Sequence, residues 1–450
     1  MSSKGVAHLS PGRVILFSVF LTIMTGTLLL SLPISRTAPI PFLDLLFTST
    51  SATCVTGLFT INLNLFTLFG KCILLALIQI GGLGLVTLTL FVVSLFTDLG
   101  FSTQLFAGYV MEIEAWKNMR KIIFFIISIT LIAETIGALL TFISIHNHYN
   151  MSDALFLSIF HAVSSFCNAG ISLFDHGVHP HFFMAHYLLL ITTTLLMLSG
   201  SLGFITWIEI LSYIKARYYK KRFSFSLVSK ITMNGTMILI IIATLLFLIL
   251  ENNNAFSHMS YTEKIFNALF NAVSIRSSGL LSIPIATLQL PTLLVIMVMA
   301  FIGASPASTG SGIKITSFTI LWATIKSAIS GYTAVNIKGR RIPKDQVLKA
   351  VTIATLSICL IIGILFLLLI TQTNADFMEI TFEVVSATTN LGLGLGITSF
   401  LTMSSKIFII ISMIAGRIGS LTLVLAFRKT PMQVQAADQI SYPEERVMLS

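Results

Sequence analysis

The chain has 450 residues, of which 55% are hydrophobic and only 10% charged, and its formal net charge is +10. A soluble domain of that composition would expose a very large apolar surface, so the chain must be dissolved in lipid. Its length accommodates several spans of about 20 residues each, and no long polar stretch is left for a separate soluble domain. The positive charge is distributed in a way that speaks of membrane orientation rather than nucleic acid. Cys54, Cys72, Cys167 and Cys359 sit in apolar or motif positions and read as buried thiols, with neither a disulfide framework nor a CxxC metal pair.

The first apolar run, residues 14–32, follows Lys4 and Arg13. It is long for a secretory signal, and Pro33-Ile34-Ser35-Arg36 offers no small-residue cleavage site, so it reads as a first span. A short pattern then returns four times: Phe47…Ser51…Gly57, Phe160…Ser164…Gly170, Phe270…Ser274…Gly279 and Phe382…Ser386…Gly392, with the glycines 113, 109 and 113 residues apart. Each copy follows a long apolar run (14–32, 121–145, 231–250, 349–370) and precedes another (70–97, 184–213, 291–328, 404–427). The segments carrying the pattern are too short to cross a core of about 30 Å as helices, so they are expected to re-enter the membrane. The expected fold is an all-α membrane protein of four M1-P-M2 repeats, eight transmembrane helices plus four re-entrant pore helices, around one pseudo-fourfold pore. Its repeats are 1–97, 98–213, 214–328 and 329–450, the last ending in a cytoplasmic tail.

Glycine at the end of each short segment suits a pore. A dehydrated cation needs oxygens, and backbone carbonyls can line a narrow path where no Cβ hinders close approach. The candidate filter is Thr53, Cys54, Val55, Thr56 and Gly57; Cys167, Asn168, Ala169 and Gly170; Ser277, Ser278 and Gly279; and Asn390, Leu391 and Gly392. Ser165, Thr388 and Thr389 add hydroxyls nearby, and the helices aim their partially negative C-termini inward, which favours a cation. Ordinary glycine turns between helices are the bland alternative for any one copy.

Lys and Arg set the orientation. Twenty of the 27 lie at the termini or between the repeats, while only Arg36, Lys71, Lys264 and Lys406 lie on the filter side. Both termini are therefore expected in the cytoplasm, with the filters opening outward. Three basic residues remain in apolar or filter segments, where charges need a role and a partner. Arg276 sits in the third copy, whose Ser-to-Gly spacing is one residue shorter. It either pairs with Glu383 as a structural brace or repels cations. Lys314 belongs to the segment 301–316, which interrupts its helix with three Gly, a Pro and several hydroxyls, where the other repeats keep the compact Gly81–Gly84, Gly200–Gly203 and Gly416–Gly419. Such a helix should break into two halves joined by a loop, acting as a gate below the filter or as a passive kink. The candidate gate residues are Gly303, Ser305, Ser308, Thr309, Gly310, Gly312 and Lys314, with Arg417 as a latch. The segment lacks the Gly-Lys-Ser/Thr ending of a phosphate-binding loop.

His176, His179, His181 and His186 cluster after the second copy, as a metal or acid sensor or, more plainly, a solvated loop. Glu134 and Glu209 read as packing or charge pairing. No Ser/His/Asp set, carboxylate dyad or HExxH pattern provides for an enzyme.

The segments Ser51-Ala-Thr-Cys-Val-Thr-Gly57-Leu, Phe166-Cys-Asn-Ala-Gly170 and Arg276-Ser-Ser-Gly279, with Gly312-Ile-Lys314 and Gly416-Arg417-Ile-Gly419, resemble the Trk/Ktr/HKT superfamily of potassium transporters. The likeness covers nearly the whole chain and is nearest the KtrB type, including the tail Tyr442-Pro-Glu-Glu-Arg-Val447. It implies potassium uptake, with some sodium, down the electrochemical gradient, K+ at the filter carbonyls, and an intramembrane gating loop. It also implies a homodimer in the cell membrane and a cytosolic RCK-type regulatory ring that would carry the nucleotide, no cofactor being expected on this chain. Glycine at all four filter positions matches the potassium-selective pattern; Pro306, Gly394 and Gly396 depart from the family. Two other readings stay open: a sodium-selective permease of the same fold, and a membrane subunit of a sodium-ATPase-type complex, for which Glu134 is the one fair midplane carboxylate.

Overall fold

In the structure, a computed structural model, residues 11–84, 119–174 and 186–419 are described. They form helices in four similar sets. The first set is α1 (Pro11–Ser31), α2 (Phe42–Cys54) and α3 (Leu68–Leu83); the second is α4 (Met119–Ile145), α5 (Met151–Cys167), α6 (Tyr187–Ser201) and α7 (Phe204–Tyr218). The third is α8 (Leu227–Leu250), α9 (Tyr261–Ser274), α10 (Leu290–Phe301) and α11 (Ile315–Ile329). A hairpin of β1 (Asn336–Ile337) and β2 (Arg340–Arg341) leads to the fourth set, α12 (Lys344–Thr371), α13 (Phe377–Thr389) and α14 (Met403–Ile418).

The short helices α2, α5, α9 and α13 carry an acidic residue in the first turn, Asp44, Asp153, Glu263 and Glu379, which suits the positive end of the helix dipole. Reciprocal caps, Ser260 with Glu263 and Asp376 with Glu379, start two of them. Three end on a left-handed residue, Val55, Asn168 or Asn390, at φ 58°, 59° and 53°. The fourth, α9, ends on Ile275 in right-handed conformation. Its link to glycine has one residue fewer, and the N–H groups of Ser277, Ser278 and Gly279 all turn onto the Ser274 carbonyl in place of the left-handed step.

The second apolar run of each set does not form one continuous helix. α3, α6 and α14 stop at Gly84, Gly203 and Gly419, whose φ values of 83°, 83° and 89° with extended ψ suit only glycine. Beyond Gly203 the chain turns 102° into α7. The break expected only in the third set thus has a counterpart at Gly203 in the second, and α3 and α14 likewise end within their apolar runs. As a result, three described helices, from Lys121 to the end of α4, α8 and α12, are long and apolar enough to cross a membrane alone. A fourth arises if α6 and α7 are one bent span; eight were expected. The runs beyond 84 and 419, with the C-terminal tail, lie outside the described residues.

The sets pack in a closed cycle. α3 touches α5, α6 touches α9, α10 touches α13 and α14 returns to α2, so each third helix lies against the short helix of the next set. A separate buried apolar cluster fills each of the four joints. The recurring Phe47, Phe160, Phe270 and Phe382 are at most 1% exposed. At the last joint Lys406 on α14 pairs with Asp44 on α2 at 2.5 Å, and Thr60 also donates to that carboxylate, at 2.7 Å.

Candidate functional site

The four glycines meet one another across the joints. A Cβ on Gly57 would lie 2.5 Å from the Ala169 carbonyl oxygen; one on Gly170 would overlap the Ser278 carbonyl, one on Gly279 that of Leu391, and one on Gly392 that of Thr56. The contacts run in order through the four sets and close. All four glycines have positive φ, between 67° and 97°, so a side chain is opposed by both backbone conformation and space.

The motif serine holds this geometry. The Ser51, Ser164 and Ser386 carbonyls accept the N–H groups of Thr56, Ala169 and Leu391, each at 2.8 Å. The Ser51 and Ser386 hydroxyls accept the N–H of Gly57 and Gly392, at 3.0 and 3.1 Å, and the Ser164 hydroxyl accepts Ile171 N–H at 3.0 Å. In the shorter third segment the Ser274 hydroxyl has no hydrogen-bond partner among the described residues. Among the described residues no donor bonds the carbonyls of 55–57, 168–170, 277–279 or 390–392. They are largely buried, and oxygens so placed want a partner from outside the chain. On one side of the ring lies a cavity of about 380 Å³ lined by Gly57, Phe59, Ile61, Asn62, Leu63, Gly170, Ser172 and Ser399.

The loop between α10 and α11 lies against the ends of the second and third segments. Thr309 N–H donates to Gly200 O, Ser305 N–H to Ser201 O and Phe204 N–H to Ala307 O. A Cβ on Gly310 would come within 2.9 Å of Ser277 Cβ. Gly303 and Gly312 face each other across the loop base, too close for side chains. Ser308 donates to Ser305 O at 2.6 Å, and Lys314 Nζ to Gly310 O at 2.8 Å. Arg417 donates to Thr309 O at 2.6 Å, to Ser311 Oγ at 3.2 Å and to Gly81 O, joining the fourth, third and first sets.

Several expected roles come out differently. Arg276 and Glu383 do not pair: the fully buried guanidinium has no hydrogen-bond partner among the described residues, and Glu383 Oε1 instead accepts from Thr398 at 2.6 Å within its own set. Glu383 Oε2 lies beside Gly394, where a Cβ would come within 3.0 Å of it. Thr388 and Thr389 spend their hydroxyls on carbonyls of α13. Of the cysteines, Cys54 and Cys167 are buried, but Cys72 and Cys359 are exposed on helix faces. Glu209 accepts Ser226 N–H at 2.9 Å. Glu134 accepts from Gln79 Nε2 at 3.3 Å and lies 4.0 Å from Cys167 Sγ, behind the second segment. His176, His179 and His181 are outside the described residues, and no cluster of metal-binding side chains occurs among those described.

Two features escaped sequence reading. One is the supporting role of the motif serines, signalled by their constant offset. The other is the reach of the left-handed asparagines: Asn390 Nδ2 donates to Thr56 Oγ1 at 2.6 Å and to Met413 O at 3.0 Å, while Asn168 ties the second segment to Thr309 and Ser277.

Residues 14–436 match the family described as TrkH, cation transport protein. The chain is 35% identical to the Ktr system potassium uptake protein B of Bacillus subtilis, over 97% of this chain and 96% of that protein. It is 33% identical to the potassium/sodium uptake protein NtpJ of Enterococcus hirae, over 100% and 99%. Its fold is that of the crystal structure of the potassium transporter TrkH from Vibrio parahaemolyticus, with a TM-score of 0.74 at 19% identity over 96% of this chain and 86% of that one. These relatives are ion transporters rather than enzymes, and the chain is a multi-pass membrane protein that belongs to the TrkH family of cation transport proteins.

Proposed function

We propose that this chain is the translocation subunit of a potassium uptake system, passing K+ between the carbonyls at 53–57, 167–170, 277–279 and 390–392. The observation that carries the reading is the closed ring of glycine-to-carbonyl contacts, with carbonyl oxygens in largely buried segments that no donor among the described residues satisfies. Such oxygens can replace the water of a dehydrated cation. The relatives' names supply the ion. Below the filter, the loop at 303–314 acts as the gate and Arg417 as its latch, since a cation held across the path by two carbonyls and a hydroxyl opposes cation passage. The exposed basic segments 215–222 and 338–349 face the cytoplasm with both termini and dock an RCK-type nucleotide-binding ring on a homodimer.

The test is rubidium influx at limiting potassium in a potassium-uptake-deficient bacterium, with and without a regulatory subunit, for the natural chain and Gly279→Ser. Influx that the substitution weakens supports the filter; influx indifferent to it, or absent with every partner, refutes it. The relative named for potassium and sodium favours a second reading in which Na+ passes too, and sodium influx in the same cells measures its share. An energy-coupling role would require Glu134, so Glu134→Gln would abolish uptake under that reading and spare ion selectivity under this one.

A further inference from the structure

Asn168 stands at a junction that has no equivalent in the other sets. Its left-handed backbone, φ 59°, directs a side chain that is 1% exposed toward two different elements. Its Nδ2 donates to Thr309 Oγ1 of the loop at 2.7 Å, and its Oδ1 accepts the Ser277 hydroxyl of the third filter segment at 2.9 Å. Thr309 Oγ1 in turn donates to Phe166 O at 3.1 Å, at the inner end of the second segment. The second and third filter segments are thus bonded directly through Asn168 Oδ1 and Ser277, while the Thr309 hydroxyl of the loop braces the amide end of the same side chain, which also lies 3.3 Å from Phe166 O and 3.4 Å from Met197 O. Asn390, at the same position of the fourth set, likewise bonds straight to Thr56 of the first. There the amide's second partner is Met413 O of its own set rather than a hydroxyl of the loop.

We propose that Asn168 is a specificity-determining positioning residue, which makes ion discrimination depend on where the loop sits. The inference rests on the filter and gate readings above. With the loop in place, Thr309 gives the Asn168 amide its shortest bond and steadies the side chain whose other end holds Ser277, so the second and third segments keep one spacing. When the loop moves aside to admit ions, Thr309 leaves both Phe166 O and Asn168. The amide then loses its best acceptor, and the Ser277 contact loses its support. Carbonyl filters discriminate by the geometry and field of their oxygens, so the two segments become less selective as the gate opens. The first and fourth segments, joined by Asn390 and Thr56, do not change. Gate and filter are then two sites biased by one two-state element, the condition for coupling.

The experiment is flux into liposomes holding the purified full chain, with rubidium and sodium as tracers, for the natural chain, Thr309→Val, Thr309→Ser, Ser277→Ala and Arg417→Gln. Thr309→Val keeps the shape and removes the hydroxyl. It is expected to raise flux and to lower rubidium-over-sodium discrimination about fivefold, with Thr309→Ser restoring both. Ser277→Ala cuts the relay at its far end and is expected to lower discrimination without raising flux. If Thr309→Val and Arg417→Gln raise flux while discrimination stays as in the natural chain, the relay is overturned and the gate stands. If neither raises flux, the gate reading fails and takes the relay with it. Ser277→Ala with unchanged discrimination overturns the relay even if Thr309→Val fails to fold.

Discussion

A methyl group at Gly279 would be driven into the Leu391 carbonyl while the backbone holds φ at 70°. Ser or Ala there must displace one filter segment against its neighbour, so rubidium influx through Gly279→Ser should fall at least about tenfold, the rate equivalent of about 1.4 kcal/mol. Gly57→Ala, opposed by Ala169 O, should behave alike, and an unchanged flux ratio in either would count against the ring. Lys406 is a different kind of residue. Its side chain and that of Asp44 are 15% and 9% exposed, so removing the ammonium strands a carboxylate away from water with only Thr60 beside it. Lys406→Ala should cost about 1–3 kcal/mol, read as a lower melting temperature in detergent, whereas an exposed pair would cost less than about 1 kcal/mol.

At the scale of an element, the glycine at which each third helix stops decides what the helix does next. Gly203 permits the 102° turn into α7 and lets the backbone pass the Pro306 carbonyl of the loop. Gly203→Ala is expected to cost about 1–3 kcal/mol as a left-handed residue with a Cβ and to perturb the loop; thermal unfolding together with basal flux checks both. The start of α9 depends on charge. Ser260 N–H and hydroxyl bond the Glu263 carboxylate at 2.7 and 2.9 Å and hold its pKa below the usual carboxylate range. A depressed carboxyl stabilises the folded state above its unfolded pKa and loses that contribution as pH falls through the folded value. The melting advantage of the natural chain over Ser260→Ala should therefore be full at neutral pH and shrink in acid. A difference that grows in acid would refute the cap.

For the whole molecule, the proposed topology puts the basic segments around the hairpin at 336–341 and the end of α7 on the cytoplasmic side, by the positive-inside rule. A cysteine introduced by Arg340→Cys, with Cys72 and Cys359 replaced, should react with an impermeant maleimide only in inverted vesicles. Labelling in intact cells would invert the proposed topology. The joints between sets also predict cooperativity: because α14 closes onto α2, loosening Lys406 and Asp44 should broaden or lower the single unfolding transition rather than release one set.

Local conformation and its fourfold recurrence were written in the sequence. Phe and Ser at a fixed offset, with Gly five or six residues on, specify a buried anchor, a support for the turn in three of the copies and a glycine at positive φ, all decided within about ten residues. The glycine-rich interruption before Lys314 likewise announced a broken helix, because its composition cannot sustain one. Partner choice was a matter for the tertiary structure. Arg276 and Glu383 looked matched in charge, yet the carboxylate bonds Thr398 of its own set, since a hydrogen bond needs a donor within reach at the right geometry and opposite charge alone does not supply one. The breaks at Gly84, Gly203 and Gly419 were hidden in apolar runs, because hydropathy says that a segment is buried and not which way its backbone turns. Asn168, Thr309, Ser277 and Arg417 meet only because four sets close into a ring, a distance relation that no local spacing encodes.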